Sequence, residues 1–285
     1  MRATPTGGAA APLVRLGIRV RRERAEEALA ALLPLLGAGA EETEPAGGEV
    51  EYALYAPLDE LPSPEQVRAL AGDALLGLRR SDVPAGWERR WHAHLRPVEV
   101  AAAGRRLRIR PPWLPASADD GAPELTIDPG LSFGAGGPAT TRLCLALLLG
   151  LEPAGGLSDW GAGSGVLALA AARLGWRPVS AVELDPAALA AIRANAAANA
   201  AAVTVERVDL AAAEPPWAPA VCANLTLELH LAIAARLTRP PERLIAAGML
   251  AARADEVAGA YARHGLRETA RGHDEGWAAL LLERP

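Results

Sequence analysis

The spacing of apolar residues along the chain predicts strands and helices in alternation. Residues 13–21 place apolar side chains at every second position with mostly arginine between them, which predicts a half-buried strand. Residues 23–36 repeat at helical intervals, and residues 49–55 alternate again. Residues 63–76 open with Ser-Pro-Glu, a capping serine followed by proline, and are predicted to form a helix. Strand, helix, strand and helix in this order predict a small ferredoxin-like α/β domain.

The second half of the chain predicts a larger α/β domain. Residues 81–125 show little sustained periodicity apart from a strand pattern at 106–110, so we assign them as a linker between a first domain, 1–80, and a second, 126–285. Within the second domain, helices are predicted at 139–149, 166–174, 187–200, 227–237 and 252–264, and strands at 157–160, 178–184, 203–208, 220–224, 243–247, 266–271 and 277–283. This alternation predicts a doubly wound parallel sheet. Its last two strands, joined by residues 272–276, are expected to form an antiparallel hairpin.

Composition narrows the class of protein. The chain has 285 residues, of which 51% are hydrophobic, so it can bury a large core and form two domains. The net charge of −5 argues against a general nucleic-acid or membrane-surface binder. We find no apolar run of a signal peptide and none of the roughly 18 residues that a membrane span needs. We therefore expect a cytoplasmic protein that contacts neither membrane nor nucleic acid directly.

Cysteine and histidine give no sign of a disulfide scaffold or a metal site. Cys144 and Cys222 both lie in apolar segments and are predicted to be buried free thiols. His92 and His94 are close in sequence, but no third ligand is near them, so we predict no bound metal. The sequence contains no lysine.

The most informative stretch runs from Leu157 to Pro186 and reads as strand, glycine turn, helix, strand and acidic end. Gly161, Gly163 and Gly165 occupy every second position of the turn, where glycine lets a backbone bend sharply and approach a ligand. Glu183 follows about twenty residues later, a position from which an acid accepts hydrogen bonds from ribose hydroxyls. The stretch therefore predicts a nucleoside-containing cofactor at the carboxyl edge of the sheet.

The neighbouring acids and the glycine spacing refine that prediction. Asp185 precedes Pro186 and has a sufficient role as a helix cap, which leaves Glu183 as the better ribose ligand. The dinucleotide fingerprint would need a third glycine at Val166. The observed G-x-G-x-G, with Asp159 two residues before it, instead resembles motif I of the Rossmann-like S-adenosylmethionine (SAM) methyltransferases. An ordinary glycine-rich turn and an NAD dehydrogenase are the alternatives.

Several further motifs, in one order, resemble the ribosomal protein L11 methyltransferases. The segments WERRWHAHLRPVEV and RLRIRPPW resemble that family's linker, and LTIDPGLSFGAGGPATTRLCLALL resembles its loop and helix. DWGAGSG, VELDP, the asparagines of RANAAANA, and VCANL resemble its remaining motifs. The resemblance implies a Rossmann-like, seven-stranded SAM methyltransferase domain after the small domain and its linker.

The resemblance also implies a set of site residues. Asp159 and the three glycines would line the SAM pocket, and Glu183 would take the ribose hydroxyls. Asp209 would lie near the adenine or, alternatively, in a surface turn. Asn224 would face the methyl group as the catalytic residue, its alternative being a strand-end asparagine bonded to nearby backbone. The loop that closes over SAM would contribute three residues: Phe133, Gly134 and Thr140.

The implied activity is SAM-dependent N-methylation of lysine side chains or other amino groups of ribosomal protein L11, with the first domain recognising the substrate. The chain departs from the family's FGTGxH loop, because Ala135 and Pro138 replace its threonine and histidine, and Ala139 replaces a further proline. Two alternatives follow from the departures. One is a SAM-dependent methyltransferase of another protein or a small molecule, and the other is an inactive SAM-fold scaffold that binds protein.

Overall fold

The structure, a computed structural model, describes residues 13–36, 41–43, 48–83, 95–117, 121–128 and 138–285. The described residues up to 83 form one compact unit, and those from 95 onward form another. The division into domains at 80 and 125 stays a prediction.

The first unit is an antiparallel sheet with two helices. Its elements are β1 (Leu13–Arg21), a 3-10 turn (Arg22–Arg24), α1 (Ala25–Leu36), β2 (Glu41–Thr43), β3 (Glu49–Pro57), α2 (Pro64–Ala71), a 3-10 turn (Gly72–Ala74) and β4 (Leu75–Asp82). The sheet order is β2-β3-β1-β4. The β-α-β-β-α-β sequence in that order is the predicted ferredoxin-like arrangement. Alternate residues of β1 and β3 form its core with Leu32 of α1.

The predicted helix over 63–76 is wrong at its carboxyl end. Its start is confirmed, because the Ser63 hydroxyl accepts from Gln66 N at 3.2 Å and the Gln66 side chain accepts from Ser63 N at 2.8 Å. The helix stops before Gly72, whose φ of +54° favours glycine. The following Leu-Leu-Gly-Leu run suits either a helix or a strand by composition. Pairing with β1, for example Ile18 with Leu78, makes it the edge strand β4.

From residue 95 onward, the described part of the predicted linker belongs to the second unit, whereas residues 81–83 belong to the first unit, in which β4 ends at Asp82. The part from residue 95 onward contains β5 (Val98–Ala102) and β6 (Arg105–Arg110), which pair with β7 (Glu124–Thr126) in a three-stranded sheet. Of these strands, the sequence predicted only β6. Their inward residues Val100, Leu107, Ile109 and Leu125 are buried in the same apolar cluster as three helices of the second unit, at Ala139–Leu149, Val166–Leu174 and Pro186–Ala198. These residues therefore contribute core, in addition to connecting the two predicted domains.

A seven-stranded sheet carries the second unit. The strands are β8 (Leu157–Trp160), β9 (Val179–Glu183), β10 (Val203–Arg207), β11 (Ala220–Asn224), β12 (Arg243–Leu250), β13 (Arg267–Asp274) and β14 (Trp277–Glu283). The helices are α3 (Ala139–Leu149), α4 (Val166–Leu174), α5 (Pro186–Ala198), α6 (Leu227–Arg236) and α7 (Ala254–Ala262), with a 3-10 turn at Ala251–Arg253. The order is β10-β9-β8-β11-β12-β14-β13, in which β14 alone is antiparallel to both neighbours. In this Rossmann-like topology, the chain adds strands to one side of β8 first and then to the other side, starting with β11. Open α/β sheets bind ligands at the point where the strand order reverses in this way.

The closing hairpin is longer than the sequence pattern suggested. The predicted loop over 272–276 shrinks to Glu275 and Gly276, with φ of +50° and +79°, because β13 continues to Asp274. Positive φ at both central residues matches the two-residue turns that suit strand twist. β12 also runs past Ala247 to Leu250, through a bulge at Gly248.

Apolar clusters cover both faces of the large sheet. Successive β11 residues alternate between them, with Cys222 in the cluster that includes α3 and α4, and Ala223 in the cluster that includes α6 and α7. Cys144 and Cys222 are buried free thiols, as predicted. Among the described helices, none is long and apolar enough to cross a membrane.

Leu280 on β14 provides a test of this core. Its side chain has 0% exposure, whereas Leu184 has 47%. Leu280→Ala should lower the free energy of unfolding by about 2–5 kcal/mol, and Leu184→Ala should change it by less than about 1 kcal/mol. Urea unfolding followed by tryptophan emission would measure both, since Trp160 and Trp176 are buried in this unit. Equal losses in the two variants would contradict the assigned core.

Candidate active site

The glycine turn between β8 and α4 lies at the carboxyl edge of the sheet. Gly161, Gly163 and Gly165 have φ of +72°, +54° and +81°, a region that residues with a Cβ rarely adopt. The turn is tied to the end of β9, since the Val182 carbonyl accepts from the backbone N–H of Gly161 at 2.9 Å and of Ala162 at 3.0 Å. The backbone therefore turns sharply here, and the lack of side chains on the three glycines leaves it open to a ligand.

Glu183, at the end of β9, lies against that turn. One carboxylate oxygen accepts from Gly163 N at 3.0 Å. The other accepts from Leu184 N at 2.7 Å and from Asp185 N at 3.2 Å. The structure therefore brings the predicted ribose ligand directly to the predicted glycine turn. Three backbone donors fix its orientation.

Asp159 is buried beside the same turn, with 1% exposure. Its Oδ2 accepts from Ala168 N in α4 at 3.0 Å, whereas Oδ1 has no hydrogen-bond partner among the described residues. Burial, and then the charge of Glu183, raise the pKa of Asp159 to about 7. This oxygen can accept a hydrogen bond from a donor that approaches the turn, or it can lie against a positively charged group there.

Asn224 ends β11, next to β8, and meets a second predicted site residue. Its side-chain Nδ2 donates to Thr140 Oγ1 at 3.3 Å, and Thr140 is buried at the start of α3. The bond crosses 84 residues of sequence. This described bond is to a side chain and not to neighbouring backbone, which the alternative interpretation of Asn224 required.

Two of the remaining acids cap backbone turns. Asp209 Oδ1 accepts from Ala211 N at 2.9 Å, as the surface-turn alternative expected, and its contact with a cofactor stays a prediction. Asp185 Oδ1 accepts from Ala187 N at 2.9 Å, which confirms its role as the cap of α5. Phe133 and Gly134 lie outside the described residues, as do His92 and His94. Elsewhere, the described residues contain no histidine, cysteine or acidic cluster that could hold a metal ion.

Comparison with known proteins identifies the family. Residues 80–285 match the family described as Ribosomal protein L11 methyltransferase (PrmA).

The chain belongs to the ribosomal protein L11 methyltransferase family.

Individual relatives agree. The ribosomal protein L11 methyltransferase of Geobacter metallireducens is 37% identical over 201 residues, covering 69% of this chain and 66% of that protein. The one from Pelotomaculum thermopropionicum is 37% identical over 219 residues, covering 75% of this chain and 70% of that protein. The matches thus span about two thirds of the relatives' own length.

One solved structure supports the fold. The crystal structure of ribosomal protein L11 methylase from Lactobacillus delbrueckii subsp. bulgaricus matches with a TM-score of 0.58 and 24% identity, covering 65% of this chain and 98% of that one.

Two asparagines of this L11 methyltransferase family member have a positional role that sequence reasoning missed. The Asn195 side chain accepts from Asp128 N and donates to Asp128 O, both at 2.9 Å, and also donates to Ser164 O at 3.0 Å. The Asn199 side chain pairs with Thr126 in the same way, at 2.9 and 2.7 Å. Each side-chain amide therefore bonds both the backbone N–H and the backbone C=O of one residue, as a neighbouring strand would, and links residues 126–128 to the carboxyl-terminal end of α5.

A signal for these pairs was present in the sequence. Asn195 lies on α5 and Asn199 directly follows its last residue, and because Asn199 N donates to Asn195 O at 3.1 Å, the two share a face. Thr126 and Asp128 are two apart on an extended segment, so their backbone groups face the same way. Each spacing is visible in the sequence, but only the fold brings the two segments together. The pairs hold the residues that enter the predicted SAM loop, and through Ser164 they also hold the glycine turn.

Asp159 makes the free energy of unfolding of the protein depend on pH. Its pKa in the folded state, about 7, lies above the ordinary value of 3.8, so the fold favours the protonated acid. Stability from this group is therefore present below pH 4 and is lost as pH rises to 7. Asp159→Asn imitates the protonated form. It should stabilise the protein by up to about 4 kcal/mol at pH 8 and change little at pH 4.

Thermal or urea unfolding of both proteins at the two pH values measures this difference. Asp185→Asn is the matched control, because that side chain is exposed and asparagine also caps helices. A gain for Asp159→Asn of the same size at both pH values would exclude an ionisation at this residue.

Proposed function

We propose that this chain transfers a methyl group from SAM to an amino group of a protein, with ribosomal protein L11 as the first candidate. The observation that carries the proposal is the convergence of three strand ends. The glycine turn after β8, Glu183 at the end of β9 and Asn224 at the end of β11 lie on neighbouring parallel strands, at the edge where such sheets bind ligands. Membership in the L11 methyltransferase family supports the same activity.

The described residues fit SAM in two respects. Glu183 lies at the turn, and its Oε2, whose one described partner is Gly163 N, keeps acceptor capacity for a ribose hydroxyl, while two backbone amides hold Oε1. Asp159 adds a buried oxygen without a partner in the described part of the chain, beside a turn built from three glycines. Bound SAM supplies an electrophilic methyl group on a cationic sulfur. Phe133, Gly134, Thr140 and Asp209 are proposed as further contacts.

The amine must reach the methyl group as a neutral nucleophile, because its lone pair forms the new bond. A lysine side chain has an ordinary pKa near ~10.4 and must first lose a proton, which burial and a nearby cation favour. Asn224 is proposed to orient that amine. Its Nδ2 is used by Thr140, which fixes the side chain so that Oδ1 is the group that can accept an amine N–H.

Catalysis in this scheme comes from position and electrostatics. No covalent intermediate is required of the protein, because methyl transfer is a direct displacement. The proton that the amine loses goes to solvent before the transfer. Lysine methylation and cytoplasmic location stay predictions from the sequence.

The assay that tests the proposal is intact-mass spectrometry. Purified protein, SAM and ribosomal protein L11 from the same organism are incubated, and the mass of L11 is followed for methyl increments. The enzyme has no lysine, so its own side chains do not compete as lysine acceptors. Increments on L11 support the proposal. SAM binding in calorimetry without increments would move the substrate to another protein or a small molecule, and no SAM binding would favour a scaffold.

Asn224 separates binding from turnover in the same assay. Asn224→Ala should lower kcat by about 100-fold, the order that loss of one oriented polar group costs. SAM affinity should change little, because Glu183 and the glycine turn remain. Asn224→Asp keeps an acceptor oxygen but loses the donor to Thr140, so its activity should lie between the two. Wild-type turnover in Asn224→Ala would remove this residue from the mechanism.

The first unit is proposed to recognise the protein substrate. The family match begins at residue 80, and the residues described before 84 form a separate compact unit. A fragment of residues 81–285 should keep SAM binding and lose methylation of folded L11. Circular dichroism controls for its folding. Full methylation by the folded fragment would place substrate recognition in the second unit.

A further inference from the structure

Leu225, the residue after Asn224, is held between two glycines from different parts of the sheet. A Cβ on Gly161 would lie 2.4 Å from Leu225 Cδ2, so the leucine side chain rests on the glycine turn. A Cβ on Gly248 would lie 2.2 Å from the Leu225 carbonyl oxygen and 2.9 Å from its nitrogen. The leucine backbone therefore rests on the bulge of β12. The approach to Gly248 is not possible for a residue with a Cβ, because it involves backbone atoms, whereas a Cβ on Gly161 would require the leucine side chain to shift.

The bulge itself depends on glycine. Pairing between β12 and β14 shifts register between Ala247 and Met249, and Gly248 between them has φ of +93°. A bulge with a left-handed residue turns the strand and redirects its backbone groups. Here the Ala247 carbonyl accepts from Leu225 N at 2.9 Å. The bulge thus supplies a flat surface for Leu225, and Ala247 beside it extends the parallel pairing of β11 with β12 by a hydrogen bond to the residue after Asn224.

The same carbonyl has a second donor. His230, on the first turns of α6, is fully buried, and its Nε2 lies 2.9 Å from the Ala247 oxygen. A carbonyl can only accept, so the ring proton is on Nε2, and Nδ1 faces the Tyr261 hydroxyl at 3.4 Å. Burial lowers the pKa of His230 to about 4, which keeps the ring neutral near pH 7. No step of the proposed reaction uses this histidine.

We infer that Gly248, His230 and the Ala247 carbonyl form a brace that positions Asn224 through Leu225, and that His230 and Gly248 are positioning residues for methyl transfer. The inference rests on the proposed function of Asn224. Leu225 links the brace to the cofactor side of the site, because its side chain lies on Gly161 while its backbone lies on Gly248. Pairing of β8 with β11 sets Asn224 beside the glycine turn, and the brace additionally holds the residue after Asn224 against both glycines. Misplacement of a reacting group by about 1 Å can cost on the order of 100-fold in rate.

The histidine pair tests the inference with a matched control. His264, like His230, contacts a backbone carbonyl through Nε2, at 2.7 Å from Ala234 O, but that carbonyl belongs to α6 and not to the bulge. His230→Leu should lower kcat about tenfold while the Kd for SAM stays within about twofold. His230→Gln carries a side-chain N–H donor that can occupy the Nε2 position, so it should recover most of the rate. His264→Leu should leave kcat unchanged. Equal losses for His230→Leu and His264→Leu, or no recovery with glutamine, would overturn the brace.

The glycine pair tests the second half of the brace. Gly265 has φ of +79° and no atom within 4 Å of an added Cβ, so Gly265→Ala carries a comparable backbone penalty without the collision. Gly248→Ala should lose at least tenfold more kcat than Gly265→Ala. Circular dichroism shows whether each variant is folded, and if Gly248→Ala is not, the histidine variants decide alone.

Amide hydrogen exchange keeps this test separate from the proposed function. The Leu225 amide donates to Ala247 O, so its protection reports the brace whether or not L11 is the substrate. Exchange at Leu225 should accelerate at least tenfold in His230→Leu, return towards the wild-type rate in His230→Gln and stay unchanged in His264→Leu. Unchanged exchange in His230→Leu would refute the brace. Accelerated exchange with an inactive wild type would keep the brace and reject the proposed substrate.

Discussion

The approach of backbone to backbone at the carboxyl edge of the large sheet is the constraint on which the site depends. The Leu225 backbone fits against Gly248 only because that residue has no Cβ, and a Cβ on Gly161 would displace the Leu225 side chain. Both glycines have positive φ, so space and backbone conformation demand the same residue type. The glycine turn, the end of β11 and the bulge of β12 can then lie side by side. Pairing of β11 with β8 sets Asn224 beside the glycine turn, and this contact also holds the residue that follows Asn224.

Buried polar groups around this contact are mostly satisfied by backbone atoms. Asp159 accepts from the amide of Ala168, and His230 donates to the carbonyl of Ala247. Asn195 and Asn199 each pair with both backbone groups of one residue in the 126–128 segment. A buried polar side chain without a partner is costly, so each of these bonds also fixes the backbone that it reaches. The orphaned oxygen of Asp159 is the exception among these groups, and it lies where a ligand is proposed.

Ala135 and Pro138, the two departures in the loop ahead of α3, do not prevent the start of that helix from contacting the rest of the site. Thr140, two residues past Pro138, still reaches Asn224, and Arg142 on the same turn pairs with Asp274 at 2.6 Å. Asn195 and Asn199 secure the other end of the loop. The framework that enters and leaves the loop is therefore intact in a chain that lacks the threonine and histidine of the family's motif.

Sequence by itself determined most elements of the second unit, because their signals are local. Glycine spacing and regular apolar periods gave the bounds of α3, α4, β8, β11 and β14 without error, and they located the glycine turn and Glu183. The Asp185-Pro186 cap located the start of α5. Tertiary structure decided what depends on pairing. The Leu-Leu-Gly-Leu run forms β4 because it pairs with the free edge of β1. Residues near 100 are part of the core because they pack against α3. His230 and Gly248 acquired a meaning only when folding brought them to Leu225, since hydrogen bonds and steric contacts between distant segments leave no periodic trace in a sequence.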